Sequence, residues 1–374
     1  APPLLLGGDW SGWIRKGLIF LVISCPCALV ISVPLAFFGG IGGASRKGVL
    51  IKGSNYIEAL SRVETVAFDK TGTLTKGSFS VTAIHPESVS EAELLDIAAA
   101  AESFSHHPIA ESIVAAHGKH IDKARFGEVT ELAGLGVRAV IDGKTVYVGN
   151  SALMETAGAP YNECEVPGTV VHIAVESEYM GHIVITDELK PDAKRAVSLL
   201  SANGVKRIVM LTGDMKKVGE AVARELRISE AYSELLPDGK VAALERLLSE
   251  KNEKSTLAFV GDGINDAPVL TRADVGIAMG ALGSDAAIEA ADVVLMDDKP
   301  SKIAYAVKIS KKTMLIAREN IVLSLAVKAA ILLLDVFGFV GIWAAVFADV
   351  GVMMLAVLNS MRTLAVKEEQ NKIV

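Results

Sequence analysis

The sequence predicts a membrane protein in which apolar helices at both ends enclose an α/β region. Hydrophobic residues make up 51% of the 374 residues, and the mean hydropathy of +0.41 is high for a water-soluble protein. Residues 17–45 carry no charge, and a helix of about 20 apolar residues is enough to cross a bilayer. Between the ends, strand-like and helical patterns alternate, which predicts a doubly wound parallel sheet.

Composition argues against a nucleic-acid-binding protein and against a disulfide-rich secreted protein. The net charge of −7 provides no basic surface for nucleic acid, so we expect no nucleic-acid partner. Two of the three cysteines lie in one apolar run and the third is isolated, which predicts no disulfide framework and favours a reducing compartment. The chain starts at Ala1 without a signal-peptide pattern, so we expect a fragment or a processed piece.

The first apolar segment predicts a transmembrane helix over residues 12–45, preceded by an extracytoplasmic loop remnant at 1–11. Cys25, Pro26 and Cys27 interrupt it. Proline opens a helix by removing a backbone hydrogen bond, and the two thiols beside the opening are soft ligands suited to Zn(II) or Cu(I). The alternative is a harmless kink between two small buried cysteines. Three basic residues then mark a cytoplasmic exit: Arg46, Lys47 and Lys52.

A short strand at 65–68 delivers Asp69 to the start of the heptapeptide DKTGTLT. The loop offers a carboxylate, a cation at Lys70, hydroxyls, and at Gly72 a residue free to adopt positive φ close to an anion. Asp69 is therefore a candidate nucleophile toward a phosphoryl group, with a divalent metal to reduce the repulsion between anions. The alternative is a capped strand and turn in which Asp69 only accepts backbone hydrogen bonds.

DKTGTLT resembles the phosphorylation signature of P-type ATPases, and SCPCALVISVP at 24–34 resembles the sixth membrane helix of heavy-metal-transporting members. The resemblance implies a haloacid-dehalogenase-like, doubly wound phosphorylation domain formed by residues 46–78 and 186–300. It also implies that an inserted α/β nucleotide-binding domain, residues 79–185, splits this phosphorylation domain.

Three weak signals within 79–185 gain weight from their order. Glu102 stands five residues before His107 of a His-Pro pair, and Gly134 and Gly136 follow as G-x-G. The family's nucleotide-binding domain has this order, which implies that these four residues bind ATP. His106 is an adjacent alternative to His107.

Strands at 208–211 and 257–260 end in polar loops, where open α/β sheets place their ligands. The resemblance implies that Thr212 and Gly213 hold phosphoryl oxygens and that Lys240 supplies a cation. It implies Mg²⁺ ligation by Asp69, Asp262, Asp266 and the Thr71 carbonyl, and catalytic roles also for Lys70, Asp214 and Asn265. By itself, the loop at 261–266 also suits a calcium-type or Asx-turn loop.

The C-terminal part predicts a cytoplasmic connector (301–319), a transmembrane helix hairpin (320–362) and a cytoplasmic tail (363–374). Lys328 and Asp349 lie deep in the apolar runs, where charges are costly and mark functional sites. Asp349 opens a D-x-G that resembles the zinc/cadmium/lead subgroup, with Lys328 as its matching lysine. The alternative for Lys328 is a structural lysine that reaches a helix end.

The resemblance implies ATP-driven export of Zn²⁺, Cd²⁺ or Pb²⁺ through an aspartyl-phosphate, with Cys25, Cys27 and Asp349 as ion ligands and Lys328 as counter-charge. It implies a bacterial plasma (inner) membrane protein with cytoplasmic catalytic domains. Because the family's actuator domain and five upstream helices are absent from the sequence, we expect no transport by this chain alone and a separate N-terminal half as a possible partner. Alternatives are a copper(I) exporter, a membrane-tethered phosphatase and a non-catalytic metal-binding fragment.

Overall fold

The structure is a computed structural model that describes residues 10–105, 107–122, 126–262, 266–280, 285–337, 339 and 341–366. Asn265, predicted to be catalytic, and the alternative His106 lie outside the described residues, as do most of the predicted loop remnant and tail. By contacts the chain forms two compact units, one of residues 1–67, 195–208 and 241–374 and the other of residues 68–194 and 209–240.

The described residues form helices and strands in alternation, as the sequence predicts. The helices are α1 Trp10–Ser24, α2 Cys27–Ser45, α3 Ser54–Ser61, α4 Glu91–Glu102, α5 Pro108–His117, α6 Ser151–Ala157, α7 Ala193–Ala202, α8 Lys216–Leu226, α9 Pro237–Glu250, α10 Ala267–Arg272, α11 Asp285–Ala290, α12 Ser301–Val336 and α13 Ile342–Ser360. The strands are β1 Val49–Ile51, β2 Val63–Asp69, β3 Thr75–Pro86, β4 Phe126–Leu132, β5 Gly136–Ile141, β6 Lys144–Gly149, β7 Thr169–Val175, β8 Glu178–Leu189, β9 Arg207–Leu211, β10 Glu230–Tyr232, β11 Thr256–Gly261, β12 Val275–Met279 and β13 Val293–Leu295.

A seven-stranded sheet has the order β1-β13-β12-β11-β2-β9-β10. The pairs β11/β12, β12/β13 and β9/β10 are parallel, whereas the edge strand β1 is antiparallel to β13. Its inner strand β12 is a continuous apolar run in which every residue is buried, as expected for a sheet covered on both faces. The predicted doubly wound α/β fold is therefore confirmed.

A six-stranded antiparallel sheet, ordered β3-β8-β7-β6-β5-β4, forms the inserted α/β region. Its core includes Leu94 and Ile113 from the helices and Ile173 and Ile183 from the strands, all with no exposed surface. Strand-like runs in the sequence at 137–141, 145–148, 170–175 and 181–185 predict β5 to β8, whereas no such run predicts β3 or β4. In β3 most residues are half-buried and its register with β8 shifts twice, so the alternation that marks a strand is lost.

Within the part of the chain that the structure describes, two helical segments are long and apolar enough to cross a membrane, Cys27–Ser45 and Trp343–Ala365. The predicted single helix over 12–45 is interrupted at Cys25 and Pro26, between α1 and α2. No helix break marks the predicted boundary at 320 between connector and hairpin, because α12 runs unbroken from Ser301 to Val336 through a stretch without Gly or Pro. The boundary between the cytoplasmic and membrane parts of this helix stays a prediction. The second hairpin helix starts at Ile342.

Small residues in α2 allow close helix packing. A Cβ atom on Gly39 would lie 2.1 Å from Thr363 Oγ1, and one on Gly40 would lie 2.4 Å from Thr313 Oγ1. Buried Asn320 donates from Nδ2 to Ser360 Oγ at 2.9 Å, and Ser360 Oγ donates to the Ser32 carbonyl at 2.9 Å. Close contact and hydrogen bonds between helices thus hold α2, α12 and α13 together.

Candidate active site

The loop after β2 presents a buried carboxylate on a tight turn. Asp69 ends the strand and is 5% exposed. Thr71 (φ −71°, ψ 132°) and Gly72 (φ 71°, ψ −18°) have the angles of a type II turn, which requires positive φ at its second central residue. Gly72 has the positive φ that the sequence indicated. Lys190 Nζ donates to the Gly72 carbonyl at 2.5 Å and so fastens the turn.

Two lysines neutralise the carboxylates around this loop. Lys240 Nζ lies 2.5 Å from Asp69 Oδ1. Lys70 Nζ lies 2.5 Å from Asp214 Oδ2 and 3.6 Å from Asp187 Oδ2. Buried charges are tolerated in a protein when they are paired in this way. The structure therefore brings together four of the predicted catalytic residues.

Main-chain hydrogen bonds to β10 and to the residues after it hold the loop that follows β9. Buried Thr212 donates from its N–H to the Tyr232 carbonyl at 2.9 Å and accepts from the Leu235 N–H at 3.1 Å. Its Oγ1 accepts from the Asp214 N–H at 3.1 Å. Gly213, between Thr212 and Asp214, is exposed. This bonding fixes the main chain that presents Asp214 to Lys70.

Asp262 and Asp266 flank the end of β11. Asp262 follows the strand and is half-buried, whereas Asp266 precedes α10 and is only 2% exposed. A Cβ atom on Gly261 would lie 2.8 Å from Asp266 Oδ2, so a glycine is needed to leave room for this carboxylate.

Asp187 and Lys190 also belong to this group of residues, although the sequence did not predict them. Asp187 Oδ2 accepts from Thr75 Oγ1 at 2.5 Å in addition to facing Lys70, and Lys190 holds the Gly72 turn. The available signal was position. Asp187 follows the buried run of β8 just as Asp69 follows that of β2.

A cavity of about 320 Å³ is lined by all four residues predicted to bind the nucleotide. Its volume is within the usual range for small-molecule sites. The residues that line it come from α4, α5 and the strands β4 to β7 with their loops. They include Glu102, Ser105, His107, Glu131, Gly134, Gly136, Asn150 and Val170.

At the cavity wall, the surroundings change the pKa of Glu102 and fix the ring of His107. Burial, with a smaller contribution from the charge of Glu131, raises the pKa of Glu102 to about 7. His107 Nδ1 accepts from the Ile109 N–H at 3.3 Å and caps the start of α5. One ring nitrogen of His107 is thus used for structure, and this fixes the orientation of the ring.

The loop at residues 134–136, called the glycine loop below, packs closely against the backbone of β6. A Cβ atom on Gly136 would lie 2.2 Å from the Val148 carbonyl, and φ at Gly136 is +141°. Asn150, to which the sequence assigned no role, donates from Nδ2 to the Gly134 carbonyl at 2.8 Å and accepts from the Leu153 N–H at 3.1 Å. Asn150 therefore joins the glycine loop to α6.

At the break between α1 and α2, Cys25 and Cys27 are joined by a disulfide, which contradicts the expectation of two available thiols. Their Cα atoms lie 5.4 Å apart, a spacing that permits the bond. In an unbroken helix residues i and i+2 point to nearly opposite sides, so the two side chains can meet only because the helix is interrupted at Pro26. Lys328 Nζ donates to the Cys25 carbonyl and lies 3.2 Å from Asp349 Oδ1. A cavity of only about 10 Å³ adjoins Lys328 and Asp349. All four predicted ion-site residues thus lie in one group.

Comparison with known proteins agrees with this geometry. The profile of the haloacid dehalogenase-like hydrolases matches residues 63–274. A solved zinc-transporting PIB-type ATPase in the E2.Pi state is 40% identical with a TM-score of 0.86, covering 97% of this chain and 60% of that one. The chain belongs to the haloacid dehalogenase-like hydrolases and, among them, to the P-type ATPases.

Curated relatives of this P-type ATPase chain are metal transporters by name. It is 54% identical over 370 residues to a "Cadmium, zinc and cobalt-transporting ATPase" of Bacillus subtilis, covering 98% of this chain and 53% of that protein. It is 52% identical to a "Zinc-transporting ATPase" of Synechocystis, covering 96% and 50%. The P-type ATPase chain thus spans about half the length of these relatives, and their names do not favour the copper alternative.

Proposed function

We propose that this chain contributes the phosphorylation, nucleotide-binding and ion-binding parts of an ATP-driven exporter of a soft divalent metal ion, Zn²⁺, Cd²⁺ or Pb²⁺. The observation that carries the proposal is buried Asp69 at the end of β2, with its Oδ1 atom 2.5 Å from Lys240 Nζ. A carboxylate in this position suits nucleophilic attack on a phosphoryl group.

The reaction uses the chain's own charges. A carboxylate oxygen of Asp69 attacks the γ-phosphorus of ATP, the bond between that phosphorus and the β–γ bridging oxygen breaks, and ADP leaves. Lys240 and Lys70 bring positive charge to the anionic centre, while Thr212 and Gly213 offer hydrogen-bond donors to the phosphoryl oxygens. Lys190 and Asn150 act as positioning residues, since each fastens a loop through a backbone carbonyl.

The donor set fits Mg²⁺. Asp69, Asp262 and Asp266 offer carboxylate oxygens and Thr71 a carbonyl oxygen, which are the hard ligands that this ion prefers. Asp69 and Asp266 are nearly buried, so their carboxylate oxygens would offer hard ligands to a cation away from bulk water. When bound, Mg²⁺ would lower the repulsion between the carboxylate and the phosphates.

The cavity between α4 and the glycine loop is the proposed ATP site. Glu102 would accept from the adenine amino group, His107 would stack or hydrogen-bond, and Gly134 and Gly136 would allow the backbone to approach the nucleotide. All four line this one cavity of about 320 Å³, which supports the assignment.

For the transported ion, the proposed ligands are the Cys25 and Cys27 thiolates and the Asp349 carboxylate, with Lys328 as the counter-charge that competes with the ion for Asp349. Binding requires that the disulfide is first reduced, since the thiolate is the metal ligand. The helices that carry these residues would cross a bacterial plasma (inner) membrane with the catalytic domains in the cytoplasm. Basic residues after α2, at Arg46 and Lys47, support this orientation.

The test is incorporation of acid-stable label from γ-labelled ATP with Mg²⁺, under reducing conditions, in the presence of Zn²⁺, Cd²⁺, Pb²⁺ or Cu⁺. We expect hydroxylamine-sensitive label that Asp69→Asn abolishes and that divalent soft metals stimulate. Asp142→Asn, a change on an exposed hairpin turn, is the matched control and should label normally.

Three outcomes would contradict the proposal. Label unaffected by Asp69→Asn would place the nucleophile elsewhere, and hydrolysis of small phosphomonoesters without metal stimulation would favour a membrane-tethered phosphatase. A folded, nucleotide-binding sample that binds metal but takes up no label would favour a non-catalytic metal-binding piece.

A further inference from the structure

Three histidines lie side by side on one face of the six-stranded sheet. His182 on β8 is in register with His85 on β3 and with His172 on β7. The ring centroids of His85 and His182 are 4.8 Å apart. Cys164, a free and half-buried thiol on the segment between α6 and β7, lies against them. Neither the phosphorylation loop nor the nucleotide cavity uses these residues.

The ligand atoms of three of these residues converge. One ring nitrogen each of His85 and His182 and the Cys164 sulfur all lie within 4.8 Å of one another. Nε2 of His85 and Nε2 of His182 are buried, and neither has a hydrogen-bond partner among the residues that the structure describes. Burying a polar atom without a hydrogen-bond partner is costly, so a ligand that bonds to both nitrogens would remove two such costs.

The other nitrogen of His182 is held in the way that metal-binding histidines are held. Nδ1 of His182 lies 3.2 Å from Tyr179 Oη, which lies 2.8 Å from His172 Nδ1. If His182 Nδ1–H donates to Tyr179 and the Tyr179 hydroxyl donates to His172, the lone pair of His182 Nε2 is free. A hydrogen bond of this kind to the second nitrogen orients a metal-binding imidazole and fixes its tautomer.

We propose that His85, Cys164 and His182 form a site for one borderline-soft divalent cation of the Zn²⁺ and Cd²⁺ class. Imidazole nitrogen and thiolate sulfur are the donors that such ions select. Tetrahedral zinc places its N and S donors about 3.3–3.6 Å apart. The present spacing therefore requires shifts of about 1 Å, and a water molecule can fill the fourth position. The bound ion would fasten the 158–168 segment to the sheet.

The test uses the full chain in detergent with Cys25→Ser and Cys27→Ser, which leaves Cys164 as the only cysteine of the original three. The probe is Co²⁺, whose thiolate charge-transfer absorption reports a sulfur ligand. We expect this absorption to saturate near one equivalent and to be lost when Zn²⁺ is added. Cys164→Ser should abolish the absorption. His85→Gln or His182→Gln should weaken Co²⁺ binding at least about tenfold, because even the loss of a residue that hydrogen-bonds to a metal ligand lowers metal affinity by about that factor.

His120→Ala, at an exposed histidine outside the group, is the matched control and should leave the titration unchanged. ATP binding by each variant checks that it has folded, and Tyr179→Phe is a second probe that should weaken Co²⁺ binding about tenfold without removing a ligand. Absence of charge-transfer absorption at saturating Co²⁺ would overturn the proposal. Absorption that survives both His85→Gln and His182→Gln with unchanged affinity would also overturn it.

Discussion

The proposed ATP cavity and the group of residues at the α1–α2 break differ in what their polar groups do before any ligand arrives. In the cavity, neighbouring groups hold the walls in place, such as Asn150 on the Gly134 carbonyl, and about 320 Å³ stays open. At the helix break the candidate ligands are bonded to one another. Cys25 is joined to Cys27, and Lys328 pairs with Asp349.

This difference sets the cost of binding. A ligand entering the preformed cavity breaks few internal contacts, so most of its interaction energy is available as affinity. At the proposed ion site, an ion would bind only after reduction of the disulfide and would then have to displace the Lys328 ammonium from Asp349. Such a site binds only in one of its states, and this property allows binding and release to be switched.

The largest expected effect is that of the disulfide. In a Cys164→Ser chain, we expect the reduced protein to bind about one equivalent of Cd²⁺ and the oxidised protein to bind none at the Cys25–Cys27 pair, because a disulfide sulfur lacks the thiolate charge. Equilibrium dialysis with metal analysis measures the stoichiometry. Adding Cys25→Ser and Cys27→Ser to this Cys164→Ser chain gives the control that should bind none in either state, and equal binding by both redox forms of the Cys164→Ser chain would refute the comparison.

Next in size is the effect of pH on the cavity wall. The pKa of Glu102 rises from 4.5 to about 7 on folding because the carboxyl is buried. Between these values the folded chain keeps a proton that the unfolded chain loses, so stability falls as pH rises from about 4.5 to 7. The loss amounts to at most about 3 kcal/mol at 1.36 kcal/mol per pH unit.

Chemical denaturation at several pH values measures this effect. Glu102→Gln removes the titrating proton and should flatten the profile over that range, and it should raise the stability of the nucleotide-free chain at pH 8. Glu155→Gln, at an exposed carboxylate on α6, should leave the profile as it is in the parent. A Glu102→Gln chain with the parent's pH dependence would show that another group is responsible.

The residues around these sites and around Asp69 show which features could be predicted from the sequence and which could not. Local chemistry was readable, since Gly72 has the positive φ that its turn requires and Glu102, His107, Gly134 and Gly136 line one cavity. Partners distant in sequence were not. Nothing near Asp187 or Lys190 indicates that they contact Lys70 and Gly72, about 115 residues away. The helix opening at Pro26 was also readable, but not that Cys25 and Cys27 turn toward each other there, because spacing alone does not fix the direction of the side chains.

A smaller effect is expected from the ion pair at the helix break. Lys328→Met keeps most of the side-chain volume but removes the ammonium that lies 3.2 Å from Asp349 Oδ1. The incoming ion no longer competes with that charge, so reduced protein should bind Cd²⁺ about tenfold more tightly, equivalent to about 1.4 kcal/mol. Competition with a metal indicator, again in the Cys164→Ser chain, measures the change. Lys328→Arg keeps the charge and should bind as the parent does, whereas weaker binding by Lys328→Met would argue that Lys328 helps to hold the site together.

The smallest effect sharpens the preformed side of the comparison. Asn150→Ala removes the bond to the Gly134 carbonyl and the cap on α6, whose loss costs about 1 kcal/mol of folding stability. If the cavity owes its shape to such bonds, ATP affinity should also fall, by up to about tenfold for a loss near 1.4 kcal/mol. Asn150→Asp restores the cap but not the amide donor, so it should recover stability while leaving ATP binding weak. Equal ATP affinity in all three chains, measured by calorimetry, would mean that the glycine loop keeps its shape without Asn150.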